Sequence, residues 1–398
     1  MTDDEPTGLR ARLLRLPIPA PNLDRILERM DAKSPHVAPL TMAGTRAKPR
    51  QSFRSHLPMG ETSFSRVHLA QIPMMLRVQG RLIIHMLRGS RRFYKERFVP
   101  ASDTADEAFF AELEAKARDW GALDIAYVTD IPDDQIFQDK GIPHRNAIVF
   151  TVEMDQDEIA KAPSFETFIE VGRGYRNLAD IGNRLTAFMR ERGFAAYPGT
   201  ALGGVTDYCV LGEMAGLGAI GYHGMLIAPA GGTRLRISTV YTNITNLPAS
   251  GTNPHTWIRD FCAKCRKCIR GCPPGAIYDE PRDAEWAGKS CIDYPACLDT
   301  FSRDWGCAVL CRSVSLFERR LRQDQAGLRS RAEQGTSDRR RVAGQARGIT
   351  EVWSTLANRT IIEACTASAP TLGMPEPSPL EPERLPKHVR YRCATPRR

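Results

Sequence analysis

Four cysteines, Cys262, Cys265, Cys268 and Cys272, stand at spacings of three, three and four, and Pro273 follows the last at once. Thiolates three residues apart in a tight turn can converge on one cubane of iron and sulfide. The fourth, displaced by an extra residue and a proline that ends the turn, usually reaches a second cluster. The run matches that of bacterial ferredoxins and predicts a [4Fe-4S] cluster. A structural zinc site is the competing chemistry, but such sites usually pair two short Cys hairpins across a longer spacer and make no use of the proline.

A second unusual stretch runs from Glu213 to Pro229, where Gly216, Gly218 and Gly221 have the spacing of a dinucleotide fingerprint. The fit is poor, because that fingerprint follows a strand and opens a helix, whereas here a helix-like segment precedes it. The glycines do let backbone approach something bulky, with amides free for an anion or a polar cofactor edge; a plain turn is the alternative. His223 could touch such an edge, though a lone histidine is more often a satisfied surface or core residue. Just upstream, Asp207 and Tyr208 are candidate proton donors; Asp207 equally suits the cap of the helix that follows.

The elements that must position these groups are legible in part. Phe109, Phe110, Leu113, Ala117 and Trp120 have helical spacing within 106–120, with Gly121 as a stop, and a second helical stretch spans 175–192 and ends at Gly193. Short apolar runs at 125–128 and 146–152, and the run 235–242, read as strands. Helices alternating with strands indicate an α/β or α+β layer fold. Residues 1–100 are hardest to read, with proline-rich and basic turns at Pro17, Pro19, Pro21 and Lys48–Arg50. The apolar and basic segment 74–87 reads as a helix packed on the core with its arginines in water; a surface for a partner or an anionic membrane is the alternative.

With 398 residues, 42% of them hydrophobic, the chain can bury one large core or two modest ones. Seven of its eleven cysteines crowd between Cys262 and Cys307, which argues for metal in a reducing compartment rather than disulfides. The segment 1–19 begins with acidic residues and has no apolar run of signal length, so no export signal is expected. The net charge of +9 is uneven: residues 310–398 hold 17 Lys and Arg against 9 Asp and Glu, leaving 38 against 37 for residues 1–309. A general nucleic-acid footprint is therefore absent from the part that reads as folded.

With the Gly-rich stretch (Ala215–Pro229), the strand Leu235–Thr242 and the cysteine run (Phe261–Pro273) in that order, the sequence resembles the reductive dehalogenases and epoxyqueuosine reductases over roughly 105–309. The resemblance implies an α+β fold, with a nitroreductase-like α/β core that holds a corrinoid, followed by a ferredoxin-like domain with two [4Fe-4S] clusters. It implies cobalamin reduced one electron at a time by the clusters, and an acid near Asp207 or Tyr208. In epoxyqueuosine reductases the aspartate lies several residues further upstream, near Leu202.

The same resemblance predicts, after Pro273, an isolated cysteine, met by Cys297, and then a Cys-x2-Cys-x3-Cys-Pro run that begins at Cys307. There the pattern breaks: Leu310 and Val314 occupy the next cysteine positions, Ser315 the proline position, and Cys311 is one place off. By ferredoxin pairing, Cys262, Cys265 and Cys268 would share a cluster with the cysteine missing at Val314, and Cys272, Cys297 and Cys307 with the one missing at Leu310; Cys311 and Cys291 are possible substitutes. Reading each codon from Leu310 one nucleotide later permits Cys at 310 and 314 and Pro at 315. Sixteen of the 17 basic residues after Val309 are Arg, as in a GC-rich gene read out of frame. A frameshift after Val309 is therefore expected, which resequencing around the codon for Leu310 decides.

The expected organisation is an N-terminal extension over 1–104, a corrinoid- and substrate-binding domain over 105–250, a cluster domain over 251–317, and a disordered Arg- and Pro-rich tail over 318–398. The expected activity is a cytoplasmic oxidoreductase acting on a small organic molecule, with halogenated compounds among the candidates. Reduced ferredoxin or a flavodoxin-type protein would supply electrons; neither a nucleic-acid partner nor a transmembrane segment is expected. A non-catalytic electron carrier and a tRNA-modifying epoxyqueuosine reductase are the competing functions.

Overall fold

The computed structural model describes residues 67–137, 140–199, 204–284 and 288–313. The proline-rich turns before Val67, the expected changes at Val314 and Ser315, and the tail lie outside the described residues. Helical structure begins with α1 (Ile72–Met75), continues through a π turn at Leu76–Gly80 and runs on as α2 (Arg81–Tyr94). Next come α3 (Glu107–Asp119), β1 (Asp124–Val128), β2 (Asn146–Glu153), α4 (Gln156–Ala160), α5 (Phe165–Glu191) and β3 (Ala196–Pro198). The Gly-rich stretch is α6 (Tyr208–Met214) followed by the short hairpin β4 (Ala219–Ile220) and β5 (Leu226–Ile227), before β6 (Leu235–Thr242). The cysteine region holds α7 (Trp257–Cys265), α8 (Lys267–Gly271), the hairpin β7 (Ile277–Ala284) and β8 (Gly288–Ile292), α9 (Tyr294–Arg303) and α10 (Val309–Ser313).

The central sheet has the order β1-β2-β6-β3 with antiparallel pairs throughout, so the fold is α+β. Strand β2 is a nearly unbroken apolar run because both its faces are covered. Ile148, Phe150 and Val152 face a core with α3 and α5, where Phe109 stacks on Phe188 with ring centroids 5.6 Å apart. The alternate residues Ala147 and Val149 face a second core with Phe93, Leu211, Leu226 and Tyr241. Period-two alternation thus makes β2 the spine of both layers.

One boundary and one burial pattern differ from expectation. Helix α5 begins ten residues before Tyr175, capped by the Ser164 hydroxyl, which accepts the Thr167 N–H at 3.1 Å. It passes through Gly172 and Gly174 because neighbours fill the space side chains would need. A Cβ on Gly172 would collide with Gln79, and one on Gly174 would lie 3.0 Å from Arg236 and 3.2 Å from Met154. The segment 74–87 does form a helix against α5, but only Val78 and Leu82 within it are buried; Met74, Leu76, Ile83, Ile84 and Leu87 are exposed.

Candidate cluster and cofactor site

Helix α7 places Cys262 and Cys265 one turn apart, so both lie on one side of the helix. It ends at Arg266, whose φ of 51° is left-handed and whose N–H bonds back to the Cys262 carbonyl. A residue with a Cβ pays of order 1 kcal/mol for that conformation. The reversal starts α8 immediately and carries Cys268 back to its neighbours. Cys272 caps the end of α8, and its sulfur accepts the Ala276 N–H at 3.3 Å. Further on, the Asp293 carboxylate caps α9, which bears Cys297. Left-handed residues Trp305, Gly306, Cys307 and Ala308 then fold the chain so that Cys307 returns to the group.

The six thiols form one group within mutual electrostatic reach, joined where the two expected triplets meet at Cys268 and Cys272. Cys262 senses Cys268 and Cys265, and Cys268 senses Cys265 and Cys272. Cys297 senses Cys272 and Cys307, and Cys307 senses Cys272. Burial pushes the Cys262 thiol up to about 12, and those of Cys268 and Cys297 up to about 11. Among the described residues no three His, Cys, Asp or Glu side chains converge on a single metal ion; a cubane, whose irons each take one thiolate, holds its ligands further apart.

At the fourth positions, Leu310 packs against the same apolar cluster as Cys268 and Cys272. Cys311, the residue next to it, turns instead toward Met154, Ile159 and Met225, and its thiol points to the Met225 sulfur at 3.8 Å. Although it senses Cys307, its surroundings belong to the α/β core. Cys291, buried beside Cys262, Ile258 and Ile277, is disulfide-bonded, which removes it as a substitute ligand and departs from the expectation of metal alone.

In the Gly-rich stretch the glycines serve the chain's own packing. Gly216 ends α6 with φ +76°. A Cβ on Gly218 would fall on the Ile227 carbonyl oxygen, and one on Gly221 would lie 2.8 Å from the Ile227 side chain. Gly224 turns the hairpin at φ +74° and faces Ile292 of β8. The stretch follows a helix and leads into a hairpin, which removes the dinucleotide reading. His223 is buried, its Nδ1 accepts the Met225 N–H at 3.1 Å, and burial pushes its pKa down to about 4. That bond assigns the proton to Nε2, which has no hydrogen-bond partner among the described residues.

The loop and the cysteine region share one apolar cluster, with Ala219, Tyr222 and Ile227 packed against Ile258, Cys262, Ile277 and Cys291. The Tyr222 backbone N–H donates to the Cys262 sulfur. Glu213 reinforces the joint: its carboxylate accepts the Ile220 N–H at 3.0 Å and pairs with Arg259 of α7. Asn253 donates to the carbonyls of Glu213 at 2.9 Å and Gly218 at 2.7 Å. Neither Glu213 nor Asn253 stands out in the sequence, since each has a common residue type and its partners are remote.

The expected acids behave differently. The Asp207 carboxylate accepts the Cys209 and Val210 N–H groups at 3.0 and 3.4 Å, as a helix cap does. The Tyr208 ring lies along Gly204, and its hydroxyl sits over Gly199 beside the Thr239 hydroxyl. A pairing absent from the sequence reading is Arg236 over the Tyr175 ring, 4.7 Å from its centroid. The buried Nε of Arg236 has no hydrogen-bond partner among the described residues, and its charge is felt by the thiols of half-buried Cys209 and buried Cys311. The one available signal is a single charged residue in a strand otherwise free of charge.

No family model matches the chain. Its curated relatives include the tetrachloroethene reductive dehalogenase of Dehalobacter restrictus, 35% identical over 156 residues, or 37% of this chain and 27% of that protein. The tetrachloroethene reductive dehalogenase of Sulfurospirillum multivorans is 28% identical over 182 residues, or 43% and 35%. The epoxyqueuosine reductase of Francisella cf. novicida is 41% identical over 69 residues, or 17% and 18%. The chain thus spans 27% to 35% of the length of these dehalogenases. Among solved structures, a catabolic reductive dehalogenase aligns with TM-score 0.48 at 20% identity over 59% of this chain and 35% of that one. The epoxyqueuosine reductase of Streptococcus thermophilus aligns with TM-score 0.36 at 14% identity over 51% and 65%. In sequence, the chain is a relative of the reductive dehalogenases and the epoxyqueuosine reductases.

Proposed function

We propose that the chain is a cytoplasmic iron–sulfur oxidoreductase of the reductive dehalogenase type, removing a halide or comparable leaving group from a small organic molecule. The carrying observation is that the left-handed turns at Arg266 and at 305–308 gather six thiols, the triplets Cys262/Cys265/Cys268 and Cys272/Cys297/Cys307 of the ferredoxin pairing, into one group within mutual electrostatic reach. The joint between the first triplet and the Gly-rich loop supports the same reading. The donor set fits iron–sulfur chemistry, with each triplet supplying thiolates for three irons of a cubane. The orphaned, buried Nε2–H of His223 fits a polar cofactor edge, whereas Gly216, Gly218 and Gly221 act by shaping the loop that holds it. When bound, clusters supply single electrons and a corrinoid supplies two-electron reduction at cobalt.

In this reading the region 251–317 is ferredoxin-like and 105–250 is a nitroreductase-like core. Cys262, Cys265, Cys268, Cys272, Cys297 and Cys307 are ligands, and reduced ferredoxin or a flavodoxin-type protein is the electron donor. Tyr208 is the better proton donor of the expected pair, because the Asp207 carboxylate is engaged in capping α6. The near-neutral charge of residues 1–309 gives no support to a tRNA substrate. The test is halide release by the reconstituted, chemically reduced chain from a panel of chlorinated and brominated phenols and alkenes. Release that Tyr208→Phe lowers by about 10²-fold or more supports the reading. Clusters and cobalt bound without halide release from any substrate would overturn it.

A further inference from the structure

We infer that the outer face of α2 is a docking surface for an anionic lipid bilayer. Helix α2 packs inward through Leu82, Gly89 and Phe93, and Arg92 fixes it by hydrogen-bonding both the carbonyl and the side-chain oxygen of Asn183 on α5. The opposite side is apolar and uncovered among the described residues: Ile83 is 55% exposed, Ile84 58% and Leu87 63%. Leu76 and Met74 extend this exposed apolar surface toward the start of the helical segment. Of the nine exposed large hydrophobic residues among the described ones, six lie between Leu69 and Leu87. Scattered apolar residues are normal on a surface, but a cluster of this kind marks an interaction site.

Charge decides the occupant. Along one flank of the apolar stripe, helical spacing aligns Arg81 and Arg88, both exposed, and the exposed Arg91, which pairs with Glu96 at 3.4 Å, follows one turn after Leu87. Between Ile72 and Val99 the chain carries seven Lys and Arg against a single acidic residue, Glu96. An apolar stripe that enters the acyl boundary, edged by guanidinium groups that reach lipid phosphates, is the arrangement of a helix lying in a membrane interface. A nucleic-acid backbone would use the arginines but gain nothing from Ile83, Ile84 and Leu87. No described helix is long and apolar enough to cross a membrane, so the geometry is that of a helix lying on the surface. The face is independent of the cluster site and of the chemistry proposed for it.

The test is co-sedimentation of the full chain with vesicles of equal parts phosphatidylglycerol and phosphatidylcholine, compared with phosphatidylcholine alone. Binding should require phosphatidylglycerol and fade as salt rises from about 0.1 M to about 1 M, where the Debye length falls from about 10 Å to about 3 Å. Arg81→Gln/Arg88→Gln should weaken binding roughly 25-fold, from about 1 kcal/mol for each arginine near the surface. Ile83→Ser/Leu87→Ser should weaken it by about tenfold or more. All four side chains are exposed, so the fold should survive, as circular dichroism would verify. Equal binding to neutral vesicles or binding indifferent to both double variants would overturn the inference. So would capture of RNA or of a second copy of the chain without vesicle binding.

Discussion

Glu213 is the sharpest place to perturb the joint between the Gly-rich loop and the first cysteine helix. Its carboxylate holds the Ile220 N–H at 3.0 Å and the Arg259 guanidinium, with side-chain exposures of 13% for Glu213 and 30% for Arg259. A surface pair would be worth about 0–1 kcal/mol and breaking a fully buried one would cost about 3–5 kcal/mol. The partial exposure of Arg259 places the coupling near 2 kcal/mol, of which Glu213→Gln should lose most while keeping an acceptor for Ile220. Glu213→Ala should cost about 1 kcal/mol more, because the half-buried Ile220 N–H loses its acceptor as well. The assay is a double-mutant cycle of Glu213→Gln with Arg259→Gln by urea unfolding under anaerobic, reducing conditions, with hydrogen exchange at Ile220 as the local readout. Additivity within about 0.5 kcal/mol, with Ile220 exchange unchanged in Glu213→Ala, would refute the clamp.

Three further outcomes follow from single residues. Gly218→Ala should destabilise the chain by about 1–3 kcal/mol in the same unfolding assay, because its Cβ meets the Ile227 carbonyl; Gly251→Ala, with open space around it, is the control. His223 has a folded pKa of about 4 against 6.5 unfolded, so the unfolded chain takes up the proton first as pH falls. Its contribution is intact above about pH 6.5, is lost progressively down to about pH 4 and totals on the order of 3 kcal/mol. His223→Gln should flatten that slope relative to the parent chain, and an identical slope would contradict the assignment. Leu310→Cys should supply the absent ligand to the Cys272, Cys297 and Cys307 group, raising iron retained after anaerobic reconstitution by up to about twofold; unchanged iron would show that position 310 does not reach the site.

The sequence reading and the structure agree where local patterning coincides with burial. Strand β6 begins and ends where the expected run 235–242 does, and Asp106, where the helical pattern starts, is the residue that caps α3. The early start of α5 was hidden because Gly172 and Gly174 are poor helix formers, and only Gln79, Arg236 and Met154, remote in sequence, explain why they sit there. The cysteine spacing carried the site because local turns do most of the work of bringing the thiols together. The glycine pattern was less informative, since glycine spacing does not reveal whether the close neighbour is a ligand or the chain itself; here it is Ile227. The Glu213–Arg259 pair and the Arg236–Tyr175 stack are products of tertiary folding and left no local pattern to read.

The central claim is that two thiol triplets hold iron–sulfur clusters next to a core that takes a corrinoid. Anaerobic reconstitution with iron, sulfide and hydroxocobalamin, followed by a visible spectrum and iron and cobalt counts per chain, tests it most directly. Cluster absorbance that Cys262→Ser and Cys297→Ser each reduce, with cobalt near one per chain, is the predicted result. Iron without cobalt would leave an electron carrier or a corrinoid-free reductase, and absorbance unaffected by either serine substitution would contradict the assignment of the triplets.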